Sequence, residues 1–200
     1  MRKHELNKGI LPRQIAETAK FIRTACAFTG PRPEKLPWRC NEDDPACVAL
    51  KKMLAEQITK LADGGYIHFL SGMAQGIDQY CASAVLALRM LRPEIKLHCI
   101  LPCVSQADKW TGKAQEAYHS ILEQADTVLF VNRDERRTGM MERNRFLVDH
   151  CSVLLAVYRE NGTRRSGTAA TVQYARRMGR ELIMIDPISL DVQCENMECQ

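Results

Sequence analysis

The chain has 200 residues, of which 46% are hydrophobic, a size that suits one compact domain and would be cramped for two. Its formal net charge is only +4, and no apolar run approaches the roughly 20 residues that a membrane span requires. Because residues 1–10 are polar and lack the apolar stretch of a signal peptide, we expect a cytoplasmic protein.

In chain order, the first predicted element is an N-terminal extension over residues 1–23, expected to be helical and to pack on the domain or on a partner. Its apolar residues recur at helical spacing, at Ile10, Ile15, Ala19 and Ile22. The main domain is predicted over residues 24–187. The polar residues 188–200 are predicted to form a frayed tail.

Six apolar runs in the main domain are typical of strands. They are Thr24–Phe28, Tyr66–Leu70, Ile95–Leu101, Thr127–Val131, Val153–Val157 and Leu182–Ile185. Stretches with helical spacing separate them. The first such helix is predicted to begin at Asp43-Asp44-Pro45, where an acidic cap precedes a proline, and to end at Gly64-Gly65. The others are Asp78–Met90, Ala114–Gln124, Met140–Asp149 and Thr168–Met178.

This alternation of apolar strands and helices predicts an α/β fold. We expect a single Rossmann-like domain with a mostly parallel sheet that is covered by helices on both faces. In such a sheet the ligand crevice lies beyond the carboxyl ends of the strands, near the topological switch point.

Two glycine-bearing turns, Ser71–Asp78 and Gly162–Thr168, each follow a strand and open a helix. Unpaired backbone N–H groups at a helix N-terminus favour an anion, and the helix dipole adds to the effect. Glycine is also the default residue of any tight turn. Two such turns in one small domain nevertheless indicate a ligand that carries phosphate, most simply a nucleotide.

The nine cysteines indicate buried free thiols rather than a disulfide framework. Their number is odd, no export signal precedes them, and Cys26, Cys81 and Cys99 lie within apolar runs. The tightest cysteine and histidine clusters lack the paired spacing of structural zinc sites. No metal site is predicted, and the only cofactor considered is a bound nucleotide or dinucleotide.

Arginines crowd the C-terminal third of the chain. They are Arg133, Arg136, Arg137, Arg143, Arg145, Arg159, Arg164, Arg165, Arg176, Arg177 and Arg180. We expect most of them to form a solvated, salt-bridging surface, although a positive face also suits the phosphates of a small ligand or of nucleic acid. Few aromatic residues lie among them, so the stacking platform of a single-strand binder is not evident.

Seven segments occur in an order that identifies a family resemblance. They are Phe28–Pro37, Asp43–Pro45, Ser71–Asp78, Pro102–Cys103, Gln106–Trp110, Arg143–Arg145 and Ser166–Val172. In this order the chain resembles the YpsA-like branch of the SLOG superfamily, Rossmann-like proteins that include DprA and the LOG phosphoribohydrolases. The resemblance covers about residues 24–187. It implies binding of nucleotides or nucleotide-derived ligands, in places as sensors.

Three positions depart from the family's pattern. The family usually has histidine where Pro31 stands, and commonly glycine where Ser166 stands. The LOG enzymes carry a glutamate that is central to their hydrolysis, and Thr171 takes that position here. A hydroxyl cannot replace a carboxylate as base or charge stabiliser. LOG-type catalysis is therefore disfavoured, and no catalytic residue is assigned.

The candidate ligand-binding residues lie in turns and loops that follow strands. They are Gly30, Arg32, Ser71, Gly72, Gly76, Asp78, Lys109, Trp110, Arg143, Asn144, Ser166, Gly167 and Thr168. For several of them a structural role competes with ligand contact. Arg32 either forks onto a phosphate or carboxylate or pairs with Glu34, and Asp78 either caps its helix or contacts a ribose hydroxyl.

The remaining alternatives concern the loops after the third and fourth strands. Trp110 either stacks on a base beside Lys109 or covers the edge of the core. Asn144 is costly inside a helix unless its amide has a partner. The polar loop Asn132–Gly139 before that helix has the length of a lid.

The favoured function is a binding or sensor module for a nucleotide or a derivative such as ADP-ribose or a dinucleotide. Its backbone turns would hold phosphates, and Trp110 would lie near the base. The alternatives are a nucleotide N-glycosidic hydrolase of the LOG type and a DprA-like nucleic-acid-binding protein. The expected partner is a small nucleotide-type ligand, with nucleic acid less favoured and no membrane; a homo-oligomer is left open.

Overall fold

A computed structural model describes residues 19–131, 139–160 and 166–197. Each of the six predicted strands is present, with bounds within two residues of those expected. They are β1 Ala25–Thr29, β2 His68–Ser71, β3 Lys96–Leu101, β4 Thr127–Phe130, β5 Val153–Val157 and β6 Glu181–Ile185. A seventh strand, β7, runs from Val192 to Glu195.

The strands form one sheet in the order β4-β3-β2-β1-β5-β6-β7. Strands β1 to β6 are parallel, and β7 is antiparallel to β6. Strands β2, β3 and β4 are added in turn on one side of β1. The chain then crosses over, and β5 pairs with the other side of β1. The topological switch point therefore lies between β1 and β5, where Thr29 pairs with Ala156. A crevice for a ligand is expected beyond the carboxyl ends of these two strands.

The helices lie where helical spacing predicted them. They are α1 Ala19–Arg23, α2 Pro45–Asp63, α3 Ile77–Arg89, α4 Gly112–Gln124, α5 Gly139–Asp149 and α6 Gly167–Arg177. The first turn of α2 shows why the sequence signal was reliable. The Asp44 carboxylate accepts a hydrogen bond from the Ala46 N–H at 2.8 Å, and Pro45 needs no partner for its nitrogen. Gly64 then ends the helix, as predicted.

Two hydrophobic cores cover the two faces of the sheet. On β1, the side chains of Cys26 and Phe28 join a core with residues of α2, α3 and α4. Ala25 and Ala27 point the other way and join a second core with residues of α5 and α6. This alternation follows from the period of two along a strand. The predicted α/β fold with helices on both faces is thus confirmed.

Strand β7 corrects the prediction that residues 188–200 form a frayed tail. Its residues Val192-Gln193-Cys194-Glu195 alternate between apolar and polar over only four positions, too short a pattern to predict a strand, and all four are at least partly exposed. Backbone pairing with β6 holds it, from Leu182–Glu195 to Ile185–Val192. The Arg176 guanidinium adds two hydrogen bonds to the Glu195 carboxylate, at 2.7 and 2.8 Å.

The N-terminal extension is described only from Ala19 onward, where α1 lies against the sheet. Phe21 of α1 stacks on the ring of His68, with 4.2 Å between centroids. His68 Nδ1 and His98 Nε2 share a hydrogen bond of 3.1 Å beneath it. No helix within the described ranges is long and apolar enough to cross a membrane.

Candidate functional site

The candidate residues collect at the carboxyl edge of the sheet. Gly30 and Arg32 follow β1, Ser71 ends β2 and Gly72 follows it, and Lys109 follows β3. The other candidates lie near the N-termini of helices that open at the same edge: Gly76, Asp78, Trp110, Arg143, Asn144, Ser166, Gly167 and Thr168. A parallel sheet brings these turns together because all of its strands point the same way.

Arg143 and Asp78 form a buried ion pair at the end of β2. The Arg143 Nη1 atom lies 3.3 Å from Asp78 Oδ2, and each side chain is only 7% exposed. The carboxylate also accepts a hydrogen bond from the Ala74 N–H at 3.2 Å. Burial raises the pKa of Asp78, and the Arg143 guanidinium offsets part of that rise. An internal carboxylate therefore stands at the N-terminus of α3, where the sequence predicted a phosphate.

The packing and the backbone conformation of this turn require glycine at two positions, 72 and 76. A Cβ on Gly72 would overlap the Arg143 guanidinium. Gly76 has φ +89°, a conformation that other residues rarely adopt, and packs against the backbone of Pro31 and Pro33. Both glycines thus allow the loops after β1 and β2 and helix α5 to meet closely.

Ser71 is fully buried and uses its hydroxyl within the turn. The Oγ–H donates to the carbonyl of Asp78 at 2.8 Å, and the oxygen accepts from the Met73 N–H at 3.1 Å. Met73 is itself buried and has φ +56°. The turn after β2 is therefore closed by its own hydrogen bonds.

The loop after β1 carries two candidates, Arg32, which is exposed, and Gly30, which is partly buried. A Cβ on Gly30 would lie 2.5 Å from the Cβ of Ile77, so close packing with α3 requires this glycine. Arg32 is exposed, and its Nη2 lies 3.4 Å from the Met140 sulfur of α5. Its positive charge contributes to holding down the pKa of Asp78. Arg32 thus lies beside the buried ion pair rather than away from it.

Gln106 is a residue of the site that the sequence analysis did not single out. Its Nε2 donates to the carbonyl of Met73 at 2.8 Å and to that of Gly72 at 3.2 Å. Two buried atoms at this turn, Gln106 Oε1 and Arg143 Nε, have no hydrogen-bond partner among the described residues. The segment Gln106–Trp110 was the available signal, but a glutamine in a loop has no periodicity that assigns it a role.

Lys109 and Trp110 lie in the loop that leads to α4. Lys109 is exposed. Trp110 is partly buried, packs against the core, and meets the Tyr118 ring edge-on with 5.2 Å between centroids. The core-edge interpretation of Trp110 is therefore supported, although the residue is only partly buried.

The turn that begins α6 is more exposed to solvent than the turn after β2. Ser166 caps the helix, since its Oγ accepts from the Ala169 N–H at 3.0 Å. Gly167 is exposed, and no described atom lies within 4 Å of the place that a Cβ would take. Residues 161–165, which complete the predicted turn and include Arg164 and Arg165, lie outside the described residues.

Asn144 finds its partner within the protein. Its Nδ2 donates to the Thr171 hydroxyl at 2.9 Å, and that hydroxyl donates to the Gly167 carbonyl at 2.8 Å. Thr171 is 3% exposed. The residue at the LOG glutamate position thus joins α5 to the first turn of α6.

Ion pairs within the described residues engage three of the six described arginines of the C-terminal third, Arg143 among them. Arg176 binds Glu160 and Glu195, and Arg159 lies 3.3 Å from Asp186. Arg133, Arg136 and Arg137, which fall in the segment predicted as a polar loop, lie outside the described residues, as do the two arginines before Ser166. The solvated, salt-bridging interpretation therefore holds for Arg159 and Arg176.

A cleft that the sequence analysis did not anticipate lies past the carboxyl ends of β5 and β6. Its volume is about 420 Å³, and Tyr158, Met184, Ile188 and Gln193 are among its lining residues. Among the described residues, no group of three or more histidine, cysteine, aspartate or glutamate side chains is arranged to hold a metal ion.

Comparison with solved structures shows which known fold this is. DNA processing protein A (DprA) from Streptococcus pneumoniae superposes with a TM-score of 0.56 at 21% identity, over 92% of this chain and 55% of that chain. DNA processing protein A from Helicobacter pylori, whose structure describes a single-stranded DNA binding mode, gives a TM-score of 0.57 at 16% identity, over 86% and 68%. At these identities the likeness shows the fold.

Sequence comparison shows the family. A UPF0398 protein from Bacillus pumilus is 31% identical over 134 residues, which are 66% of this chain and 72% of the relative. UPF0398 protein SERP1017 from Staphylococcus epidermidis is 28% identical over 120 residues, 59% of this chain and 64% of the relative. The family model YpsA, described as the YspA SLOG family, matches residues 26–190. The chain therefore belongs to the YspA SLOG family.

Proposed function

We propose that this protein binds, as a sensor, a nucleotide or a nucleotide-derived ligand such as ADP-ribose or a dinucleotide. The site lies at the carboxyl edge of β1, β2 and β5. The observation that carries the proposal is Arg143, a buried cation whose Nε–H has no acceptor within the described residues. A buried N–H without a partner costs free energy, which a ligand acceptor would recover.

The charge at this edge suits an anionic ligand. Arg32 and Arg143 carry two positive charges against the single negative charge of Asp78, so one is left uncompensated among the three. Arg32 is exposed beside the pair, where its guanidinium contacts the Met140 sulfur and is also accessible to a ligand. A guanidinium forms two parallel hydrogen bonds with phosphate, which favours arginine for this task.

The open turn of α6 supplies a second group of donors. Ser166 accepts from the amides of Ala169 and Ala170. The N–H groups of Gly167 and Thr168 have no acceptor within the described ranges, and the helix dipole favours negative charge beside them. The surface of Gly167 is open to a phosphate.

The same edge offers partly apolar surface for the rest of the ligand. Trp110 lies there, partly exposed, beside the exposed Lys109. The cleft past the carboxyl ends of the neighbouring strands β5 and β6 combines Tyr158 and Met184 with charged side chains such as Asp186. Aromatic surface next to basic groups suits a nucleobase joined to phosphate.

Binding without turnover is favoured over hydrolysis. Thr171, where the LOG enzymes have glutamate, has its hydroxyl engaged with Asn144 and Gly167. The buried Asp78 is held by Arg143 and the Ala74 N–H, which leaves it poorly placed to act as a base.

A second candidate function is binding of single-stranded nucleic acid, which the fold shared with DNA processing protein A from Helicobacter pylori favours. The two candidates differ in salt dependence. Each phosphate contact to a strand releases counterions, so affinity for an oligonucleotide falls steeply with salt. A site for a single nucleotide loses far less affinity over the same range.

The proposal is tested by native mass spectrometry of the protein with a mixture of AMP, NAD and ADP-ribose. We expect an adduct with the intact mass of one compound, lost in Gly167→Val because the side chain blocks the backbone. Gly112→Val is the matched control, since Gly112 is also the first residue of a helix and is also open. Release of free base would instead show a hydrolase. No adduct, together with salt-sensitive oligonucleotide binding, would favour the second candidate.

A further inference from the structure

Two buried polar atoms at the turn after β2 have no hydrogen-bond partner within the described residues. They are Oε1 of Gln106, which can only accept, and the Nε–H of Arg143, which can only donate. Each costs free energy that a suitable ligand group would recover. We infer that these two atoms bind the hydroxyl groups of a ribose. The inference rests on the proposed function and names the part of the nucleotide that this turn recognises.

Both atoms lie next to Gly72. The Nε2 group of Gln106 donates to the carbonyls of Gly72 and Met73, at 3.2 and 2.8 Å. These bonds fix the orientation of the amide, because only its NH₂ end can donate to a carbonyl, and they leave Oε1 for another group. Arg143 Nε lies 2.9 Å from the place that a Cβ on Gly72 would take. Gln106 is partly exposed and Arg143 is buried, so a group that enters from solvent passes Gln106 first.

A hydroxyl suits this pair of atoms better than a phosphate does. A hydroxyl can donate to Gln106 Oε1 and also accept from the Nε–H of Arg143, whereas an ionised phosphate oxygen only accepts. The surrounding charge favours the same choice. Arg143 Nη1 lies 3.3 Å from Asp78 Oδ2, and this buried ion pair carries no net charge. A neutral polar group is therefore buried beside the pair at lower cost than an anion.

The order of the strands places a sugar here, between the other two parts of a nucleotide. In the sheet, β2 lies between β1 and β3. The exposed Arg32 follows β1, Gly72 follows β2, and the partly exposed Trp110 follows β3. Neighbouring strands are about 4.8 Å apart, so these three positions spread over roughly 10 Å. A nucleotide with its phosphate at Arg32 and its base at Trp110 presents its ribose at Gly72.

The test compares AMP with 2′,3′-dideoxy-AMP, which has the same base and phosphate but lacks both ribose hydroxyls. Calorimetry measures the Kd of each compound. Because two hydrogen bonds are lost, one of them to a charged donor, we expect the wild type to bind AMP about thirtyfold more tightly than the dideoxy compound. Gln106→Met keeps the length of the side chain but removes the acceptor. Its preference for AMP should fall to about fivefold, with the Kd of the dideoxy compound unchanged.

Gln115→Met is the matched control. Gln115 also donates from Nε2 to two consecutive carbonyls, those of Ala107 and Asp108, at 2.9 and 3.4 Å. Its Oε1, unlike that of Gln106, is not a buried atom without a partner within the described residues. Gln115→Met should therefore keep the thirtyfold preference of the wild type.

Equal binding of AMP and 2′,3′-dideoxy-AMP by the wild type would overturn the inference alone, because the nucleotide would then bind without its ribose hydroxyls. This comparison needs no variant, so it decides the inference even where Gln106→Met fails to fold. A folded Gln106→Met that keeps the full preference would exclude Gln106 from the site and overturn the inference as well. A wild type that binds neither compound would also overturn it. The proposed function fails with it only when NAD and ADP-ribose do not bind either.

Discussion

The guanidinium of Arg143 lies against the Cα of Gly72, in the volume that a Cβ would occupy. The glycine is therefore required by a side chain that is 71 positions further along the chain, from a helix that follows β4. The turn after β2, helix α3 and helix α5 meet at this contact. A substitution in one of them is therefore expected to displace the other two.

Gly72→Ala should lower the free energy of unfolding by about 3 kcal/mol, because the new methyl group displaces Arg143 from its buried pair with Asp78. The measurement is urea unfolding at pH 7. Gly167→Ala is the control, since a Cβ there meets no described atom and the backbone φ is not positive. That control should match the wild type or exceed its stability slightly. Equal stability of Gly72→Ala and Gly167→Ala would contradict the contact.

Removing either member of the buried pair should destabilise the protein, with different pH dependence. Arg143→Met leaves the Asp78 carboxylate buried and uncompensated, at a cost of about 3 kcal/mol at pH 7. The pKa of Asp78 then rises further, so protonation at pH 5 should recover part of the loss.

Asp78→Asn provides the comparison. Arg143 stays charged throughout this range, so the loss in Asp78→Asn should be similar at pH 5 and pH 7. The double variant Asp78→Asn/Arg143→Met should be more stable than Arg143→Met alone at pH 7, since no charge stays buried. Chemical unfolding at both pH values measures all four proteins, and parallel pH profiles for the two single variants would rule out this account.

The His68–His98 pair should make stability fall in mild acid. Burial lowers the pKa of His98 to about 4, with a further contribution from His68. Because the unfolded state keeps a pKa near 6.5, it binds more protons than the folded state between about pH 6.5 and 4. The free energy of unfolding should therefore decrease by about 3 kcal/mol as the pH falls through this window.

Unfolding curves at pH 7, 5.5 and 4.5 check this expectation, with His98→Leu as the control. Asp126 and Lys96 also act on the pKa of both histidines, and they are unchanged in the variant. The slope below pH 6.5 should be flatter in His98→Leu than in the wild type. An identical slope would assign the acid sensitivity to other groups.

Trp110 should report ligand binding by fluorescence. The chain has two tryptophans, and Trp38 is buried in the core, so Trp38→Phe leaves Trp110 as the sole tryptophan emitter. Under the proposed function, AMP or ADP-ribose should quench or shift its emission. Trp110→Phe, which retains Trp38, should show no change. Adduct formation without any spectral change in Trp38→Phe would place the base away from Trp110.

Much of the fold could be predicted from local patterns. The strand Val153–Val157 is apolar throughout and has the predicted bounds, because a buried parallel strand needs apolar side chains on both faces. Helix α2 was bounded by its own cap and by Gly64. Strand β7 was missed because its apolar–polar alternation spans only four residues. Pairing with β6 and the Arg176–Glu195 bonds stabilise this strand, and neither can be read from a local pattern.

The edge of the sheet at which the candidate residues lie could be predicted more easily than their contacts. Glycines after strands indicated that the candidates would lie at the carboxyl edge of the sheet. Whether a glycine faces a ligand or a protein side chain depends on residues far along the chain, as Gly72 with Arg143 and Gly30 with Ile77 show. For the same reason, the sequence did not predict the two hydrogen bonds that join Asn144 to Gly167 through the Thr171 hydroxyl. These bonds form only when helices α5 and α6 are packed together.

The central position of β1 has a consequence for synthesis on the ribosome. Of the strands in the described residues this one emerges first, yet one of its edges pairs with β2 and the other with β5. Domains form from the N-terminus as the chain grows, so β1 to β4 and their helices can assemble while the second edge of β1 still lacks its neighbour. An open edge of the apolar strand Ala25–Thr29 is a template for unwanted pairing. The nascent chain therefore carries an exposed sheet edge until Val157 has left the exit tunnel.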